Sequence, residues 1–351
     1  MTLLRYAHNP VLTPKHITAS RPDFEVIGTF NTGVTLYQED VVLLIRVAER
    51  PVATDAATVL YPQMTASGEL VVERVMSTDA AYDRSDPRLI IHRDTHSTVL
   101  TSISHLRLAR SHDGYHFEAE SRPWLSGEPP YETFGVEDAR ITPIEGRFYI
   151  NFSAVSELGI ATSLVSTQDF ENVKRHGIIF PPANRDVVLF PERIGGLYTC
   201  YHRPMPSPFG GLNIWMATSP DLIHWGNHRV VLQVQPDGWE SGRVGGGAPP
   251  LKTEHGWLSI YHAANQKQEY CLGAFLTPLD DPGRIIARSK TPILAPEKPY
   301  ETSGFFQNVV FTCGAVIRDG RLMVYYGAAD ESIAVAEAPV DAIVESLIPV
   351  R

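Results

Sequence analysis

A chain of 351 residues with a hydrophobic fraction of 43% is long enough to bury a large core. Its 30 basic and 40 acidic side chains leave a net charge of −10 with no lysine-rich run, which argues against nucleic acid or an anionic membrane surface as a general partner. Three widely spaced cysteines, Cys200, Cys271 and Cys313, offer neither a disulfide framework nor a CxxC metal pattern; with no signal-like apolar start they point to a soluble cytoplasmic protein.

Taken in order, the chain repeats itself. Residues 9–14 (Asn9-Pro10-Val11-Leu12-Thr13-Pro14) read as a lone strand. Five hairpins follow, each an apolar strand, a tight polar turn and a second apolar strand. They cover residues 33–46, 139–153 about Glu145-Gly146, 187–202 about Gly195-Gly196, 250–262 about His255-Gly256, and 310–326 about Asp319-Gly320. Each turn carries a Gly or Asp suited to a positive-φ hairpin position. A third strand entering an Asp-containing turn follows each hairpin, clearest at Asp113, Asp169 and Asp221. Recurrence at one place in the repeat marks these aspartates as structural. A fourth strand is readable at residues 228–232 and 291–296. The spacing of about 70 residues exceeds a minimal blade, and the surplus lies largely in residues 51–100.

Five such units predict an all-β chain, a single domain over residues 1–351 built as a five-bladed β-propeller, closed by the N-terminal strand. In that fold the inner strands converge on one funnel. The residues entering them are Asn31, Asp138, Arg185 with Asp186, Arg243 before Gly245-Gly246-Gly247, and Asn308. The far ends of the hairpins bring Arg46, His202 with Arg203, His262 and Asp330.

The gathered set holds one acid at the start of a strand, Asp138, and a surplus of bases: Arg185, Arg203, Arg243, His202 and His262. Side chains alternate along a strand, so Glu137 and its neighbour Asp138 are expected on opposite faces, with Asp138 toward the funnel. Arginine forks bind phosphate in bidentate fashion, and the glycine run suggests close approach of backbone to a ligand. An oxyanion held opposite a carboxylic acid is what phosphorolysis of a glycosidic bond needs. Inverting hydrolysis needs a second carboxylate to activate water, for which Asp186, Glu240 and Asp330 are available. Blander readings stand beside each residue: strand-ending His202 and His262 as structural histidines, Arg185–Asp186 as a local ion pair, the glycines as a flexible loop. Asp86-Pro87-Arg88 resembles a second acid motif but lies outside the strand-entry frame and is set aside. No HExxH, Walker A, GxGxxG or GxSxG pattern stands in the context those need.

Seven ordered segments resemble glycoside hydrolase family 130, the β-mannoside phosphorylases, over nearly the full length. They are Phe30-Asn31-Thr32-Gly33-Val34, Gly135-Val136-Glu137-Asp138-Ala139-Arg140, and Asn184-Arg185-Asp186 with Leu189-Phe190-Pro191-Glu192. The others are His202-Arg203-Pro204, Ser241-Gly242-Arg243-Val244-Gly245-Gly246-Gly247, Gly256-Trp257-Leu258-Ser259-Ile260-Tyr261-His262 and Tyr325-Tyr326-Gly327-Ala328-Ala329-Asp330. The resemblance implies reversible inverting phosphorolysis releasing α-mannose 1-phosphate. Asp138 matches the general acid, passing its proton through a mannosyl hydroxyl. Arg185, Arg203, Arg243 and His262 match phosphate-associated positions, and the residues add His202. Asn31, Arg46 and Asp330 match positions holding the mannosyl ring, and Asp186 is placed with this substrate-binding set. Arg243 stands where many members carry lysine. Residues 100–107, with Arg46-Val47-Ala48-Glu49 and Asp86-Pro87-Arg88, resemble the subset acting on β-1,2-mannooligosaccharides. No metal or cofactor is expected beyond phosphate as co-substrate, and a homo-oligomer is compatible. The alternatives are an inverting β-mannosidase, a phosphorylase of another β-mannoside such as β-1,4-mannosyl-glucose, and a non-catalytic sugar-binding propeller.

Overall fold

A computed structural model describes residues 1–350. The chain is all-β, and all five predicted hairpins are present, each at the inner side of its own antiparallel sheet. The first sheet runs Phe24–Tyr37, Asp40–Pro51, Ile103–Ser111, Glu118–Ala119. The second is Val136–Ile144, Arg147–Ser156, Gly159–Thr167, Lys174–Phe180. The third is Asn184–Leu189, Tyr198–Pro204, Ile214–Ser219, Gly226–Leu232. In the fourth, Arg243–Gly246 and Leu251–Thr253 both pair with Gly256–Ala264, followed by Tyr270–Thr277, Ala287–Arg288 and Ile348–Pro349. The fifth is Val310–Arg318, Arg321–Ala328, Ser332–Pro339 and, on its outer edge, Leu4–Arg5.

The N-terminus does complete the last sheet, but through a different segment from the one expected. Leu4 and Arg5 pair with Glu337 and Ala336, whereas Leu12 adds only a single bridge to Ile333. Residues 291–296 likewise form no strand; Leu294 bridges Leu272, and Ala287–Arg288 takes the place beside Tyr270–Thr277. Residues 51–100 make two small sheets of their own, Thr58–Met64 with Leu70–Met76 and Tyr82–Asp83, Leu89–His92, Thr98–Leu100.

Apolar packing links the sheets in sequence and then links the last to the first. One cluster joins the first and second sheets through Leu44, Leu106, Ile141 and Phe152. Ile144, Leu164, Leu189 and Cys200 join the second and third, and Val188, Tyr201, Val244 and Trp257 the third and fourth. Leu258, Leu272, Val310 and Val324 join the fourth and fifth, while Leu43, Ile45, Tyr325 and Val335 join the fifth to the first. The inner strands touch around one locus, and a cavity of about 230 Å³ is lined from every sheet, by Val34, Ile141, Pro191, Leu251 and Val316 among others.

The aspartates at the third-strand turns are structural, as their recurrence suggested. Asp113 Oδ1 accepts from the amides of Tyr115 and His116, Asp169 Oδ1 from those of Glu171 and Asn172, and Asp221 Oδ1 from those of Ile223 and His224. Each turn thus satisfies its own backbone donors.

Candidate active site

Three inner strands share one irregularity. Their register shifts between Phe30 and Gly33, between Glu137 and Arg140, and between Arg185 and Val188. Inside these bulges Asn31, Asp138 and Asp186 take φ of 48°, 53° and 55°. A bulge inserts a residue and re-aims its side chain, and left-handed backbone is tolerated best by Asn and Asp. The sequence supplies those residue types at those places.

The bulge also overturns the expectation that Glu137 and Asp138 face apart. Arg46 donates Nη2 to Glu137 Oε1 at 2.7 Å and Nη1 to Asp138 Oδ1 at 2.9 Å, so both carboxylates meet one guanidinium. Strict alternation holds only for regular strand, and φ of 53° at Asp138 is not strand. Asn31 Nδ2 donates to the same Asp138 oxygen at 3.0 Å. Burial alone would raise the Asp138 carboxyl; Arg46, Arg140 and the Asn31 bond outweigh it and hold it below the usual range. Asp330, φ 51°, faces this group, and burial together with Asp138 and Glu137 pushes its carboxyl up to about 7 against the pull of Arg46 and Arg88.

Arg140 links this region to a second one. Its guanidinium, 1% exposed, donates Nη1 to the Asp138 carbonyl at 2.8 Å and Nη2 to Asp186 Oδ1 and the Gly246 carbonyl, both at 3.2 Å. Asp186 Oδ2 lies 2.7 Å from Arg203 Nη2 and 3.3 Å from His262 Nε2. Although burial would raise it, Arg203, His262 and Arg140 keep the Asp186 carboxyl well below the ordinary range. Burial lowers both Arg203 and His262 despite that carboxylate.

Arg185 and Arg203 are register partners across the third sheet, and Arg243 stacks 5.5 Å over the Tyr270 ring while donating to Gln268 at 2.6 Å. Among the described residues no group accepts from Arg185 Nε, Arg243 Nε, or Arg203 Nε and Nη1, and neither ring nitrogen of His262 has a hydrogen bond of good geometry. Buried donors left without acceptors cost free energy unless a ligand satisfies them. The surplus is positive, so the fitting ligand is an anion with several oxygens, as inorganic phosphate is.

Of the remaining residues read from sequence, His202 goes elsewhere. Its Nδ1 accepts from Asn184, its Nε2 is 3.1 Å from His228 Nδ1, and its ring stacks on Phe180 at 4.7 Å. Successive residues on a strand point apart, so Arg203 reaches Asp186 while its neighbour His202 does not. Burial and His228 lower the His202 ring to about 3. The glycine run packs on protein, not on open space. A Cβ at Gly245 would sit 2.5 Å from His262 and 2.6 Å from Asp186, and those at Gly246 and Gly247 would strike the Asp186 and Ile260 carbonyls. Asp186, read as substrate-binding, is held by the basic group. Arg88, set aside with its motif, reaches the site: paired with Asp86, it lies 4.7 Å over the Phe306 ring and acts on Asp330.

Residue reasoning gave no role to Glu137, Arg140, Ser104 or Tyr270. Arg140 had a signal, the one cation in a largely buried strand that also carries Glu137 and Asp138. Ser104, which accepts from Arg46 Nε at 3.1 Å, and Tyr270 had none.

Comparison with known proteins adds the following. A family model described as beta-1,4-mannooligosaccharide phosphorylase, that of glycoside hydrolase family 130, matches residues 80–348. A Beta-1,2-mannobiose phosphorylase of Listeria innocua is 46% identical over 350 residues, covering 99% of both chains. A 1,2-beta-oligomannan phosphorylase of a Thermoanaerobacter species is 39% identical over 300 residues, 84% of this chain and 96% of the relative. The solved complex of the Listeria innocua Beta-1,2-mannobiose phosphorylase with beta-1,2-mannobiose superposes with a TM-score of 0.94 at 46% identity, again over 99% of each chain.

Proposed function

This chain belongs to glycoside hydrolase family 130, and on that premise we infer that it is a β-1,2-mannoside phosphorylase. It cleaves β-1,2-linked mannooligosaccharides with inorganic phosphate, releasing α-D-mannose 1-phosphate, and the reaction runs in both directions. The observation that carries this reading is the set of buried, unsatisfied donors on Arg185, Arg203, Arg243 and His262, joined to Asp138 through Asp186 and Arg140.

The residues divide the work. Phosphate is held by those four side chains, with one oxygen presented to the anomeric carbon. Asn31, Arg46 and Asp330 hold the mannosyl ring beside Asp138. The phosphate oxygen forms the new bond to the anomeric carbon as the glycosidic bond breaks, and the proton of Asp138 ends on the leaving oxygen, passed through a mannosyl hydroxyl. Attack from the face opposite the leaving group inverts the configuration. Asp186 does not serve as a base for water in this reading, because Arg203, His262 and Arg140 keep its carboxyl well below the ordinary range, which leaves it too weak a base. His202 is left out of the phosphate set for the contacts described above.

The architecture we propose is one five-bladed propeller domain over residues 1–351, each sheet a blade and Leu4–Arg5 the closing strand. The cyclic order of the apolar clusters supports it. Buried free thiols at Cys200, Cys271 and Cys313 favour work in the cytoplasm.

The test is incubation with β-1,2-mannobiose and longer oligomers, with and without phosphate. Mannose 1-phosphate formed only with phosphate is expected. Free mannose released at an equal rate without phosphate would replace this reading with hydrolysis, and binding without turnover would leave a sugar-binding propeller.

A further inference from the structure

We propose that Glu137 is a positioning residue that sets the acidity of Asp138 by sharing its guanidinium partner, Arg46. The proposal rests on the reading of Asp138 as the general acid. Arg46 is fixed on three sides: Nη2 on Glu137, Nη1 on Asp138, and Nε on Ser104 Oγ, with Phe30 4.6 Å below the guanidinium carbon. Glu137 is 8% exposed, and among the described residues Arg46 gives its side chain its one hydrogen bond. The bulge that turns Asp138 is what lets two successive carboxylates reach one fork.

The charges around Asp138 explain why a second carboxylate there is useful. Arg46 from the first sheet and Arg140 from its own strand favour the ionised form, helped by the neutral Asn31. Asp330 from the fifth sheet, a like charge facing Asp138, opposes that pull, and Glu137, on the other terminal nitrogen of the same fork, sets a second negative charge beside it; the Cys313 thiol also lies in this field and is kept neutral by burial. A general acid must enter each turnover with its proton. Two guanidiniums without counter-charge would strip Asp138 of it. Glu137 offsets part of the Arg46 charge, so the fork can orient the mannosyl ring while Asp138, already held below the usual range, is not driven lower still. A fixed negative charge within a few ångströms shifts a carboxyl by about one pH unit or more.

The sign follows. Phosphorolysis uses protonated Asp138, so its rate falls as pH rises through the acid's pKa. Synthesis from mannose 1-phosphate and mannose uses the carboxylate, so its rate falls as pH drops through the same pKa. In Glu137→Gln the shape stays and the charge goes, which lowers that pKa. With both substrates saturating, the alkaline limb of kcat for phosphorolysis is expected to move down by about one pH unit, roughly tenfold in the protonated fraction. The acid limb of synthesis moves down with it, and Glu137→Asp moves both in the same direction by less. A uniform loss of rate with unmoved limbs, or limbs that move up, overturns the proposal and leaves Glu137 a structural anchor. Should Glu137→Gln not fold by circular dichroism, the wild-type and Glu137→Asp limbs decide by the same criterion. Asp138→Asn, assayed alongside, separates the two readings. Full activity there removes the general acid itself; an inactive Asp138→Asn with unmoved Glu137 limbs removes only this proposal.

Discussion

The two halves of the site are built oppositely. Around Arg46, one guanidinium faces the carboxyls of Glu137, Asp138 and Asp330, and each of its three nitrogens donates a hydrogen bond within the protein. Around Asp186, one carboxylate faces Arg140, Arg203 and His262, with Arg185 and Arg243 near Arg203, and donors remain over. The first half is an acidic group gathered on one guanidinium, with the Asn31 carbonyl oxygen left without a partner. The second keeps several buried arginine donors without acceptors among the described residues. Arg140, bonded to the Asp138 carbonyl and the Asp186 carboxylate, keeps the halves in register. The lesson is that one polar cluster can be largely satisfied by the chain while its neighbour keeps a surplus of buried donors.

That contrast can be broken by variants. Asp138→Asn should lower phosphorolysis by about 10²–10⁴-fold while leaving the KM for phosphate near wild type; steady-state kinetics with circular dichroism check both. Retained activity would remove the first half from catalysis. Arg203→Ala should do the converse. It leaves Asp186 short of a partner and removes buried donors, so kcat/KM for phosphate should fall by about 10²-fold or more, with a smaller change in the KM for mannobiose. Equal loss in both KM values would mean that the halves do not divide the substrates.

Asp330 sharpens the comparison through stability. Its carboxyl is raised to about 7 in the folded chain by burial and by Asp138 and Glu137. Between the ordinary carboxylate range and pH 7 the folded state therefore binds more protons than the unfolded one, and stability falls as pH rises through that window. Asp330→Asn should match wild type in Tm near pH 4 and exceed it by about 1–3 °C at pH 8; scanning calorimetry at the two values reads the difference. No gain at pH 8 would show that the acidic half is better balanced than its charges suggest. The smallest effect is expected from Arg88→Ala. Its guanidinium stacks on Phe306, is partly exposed and acts on Asp330, so a rise of about 2–10-fold in the KM for mannose 1-phosphate is expected in synthesis, with the KM for phosphate in phosphorolysis unchanged.

Much of this was legible in the chain because it is local. Turn pairs such as Glu145-Gly146 and Asp319-Gly320 have positive φ in the structure, and the hairpins stand where those turns were read. The repeated aspartates cap their own turns, needing nothing from other sheets. The family segments located Asn31, Asp138, Arg203 and Asp330 within the units they occupy. Misreadings came where a residue's partner is distant. Residues 9–14 look as strand-like as Leu4–Arg5, and only the edge of Ser332–Pro339 chooses between them. Arg88 sits in an insert with no strand-entry position, yet folding carries it over Phe306.

By itself, the sequence determined the order of the strands, the turn at each hairpin and which residue types stand at the inner ends, since periodicity and backbone preference act over a few residues. Tertiary structure decided what those side chains do. A one-residue bulge turned Glu137 and Asp138 onto the same arginine, and pleat direction sent Arg203 inward and His202 away. Packing of separate sheets left some cations paired and others waiting. Electrostatic environment depends on distances across space, and those are set only when the sheets meet.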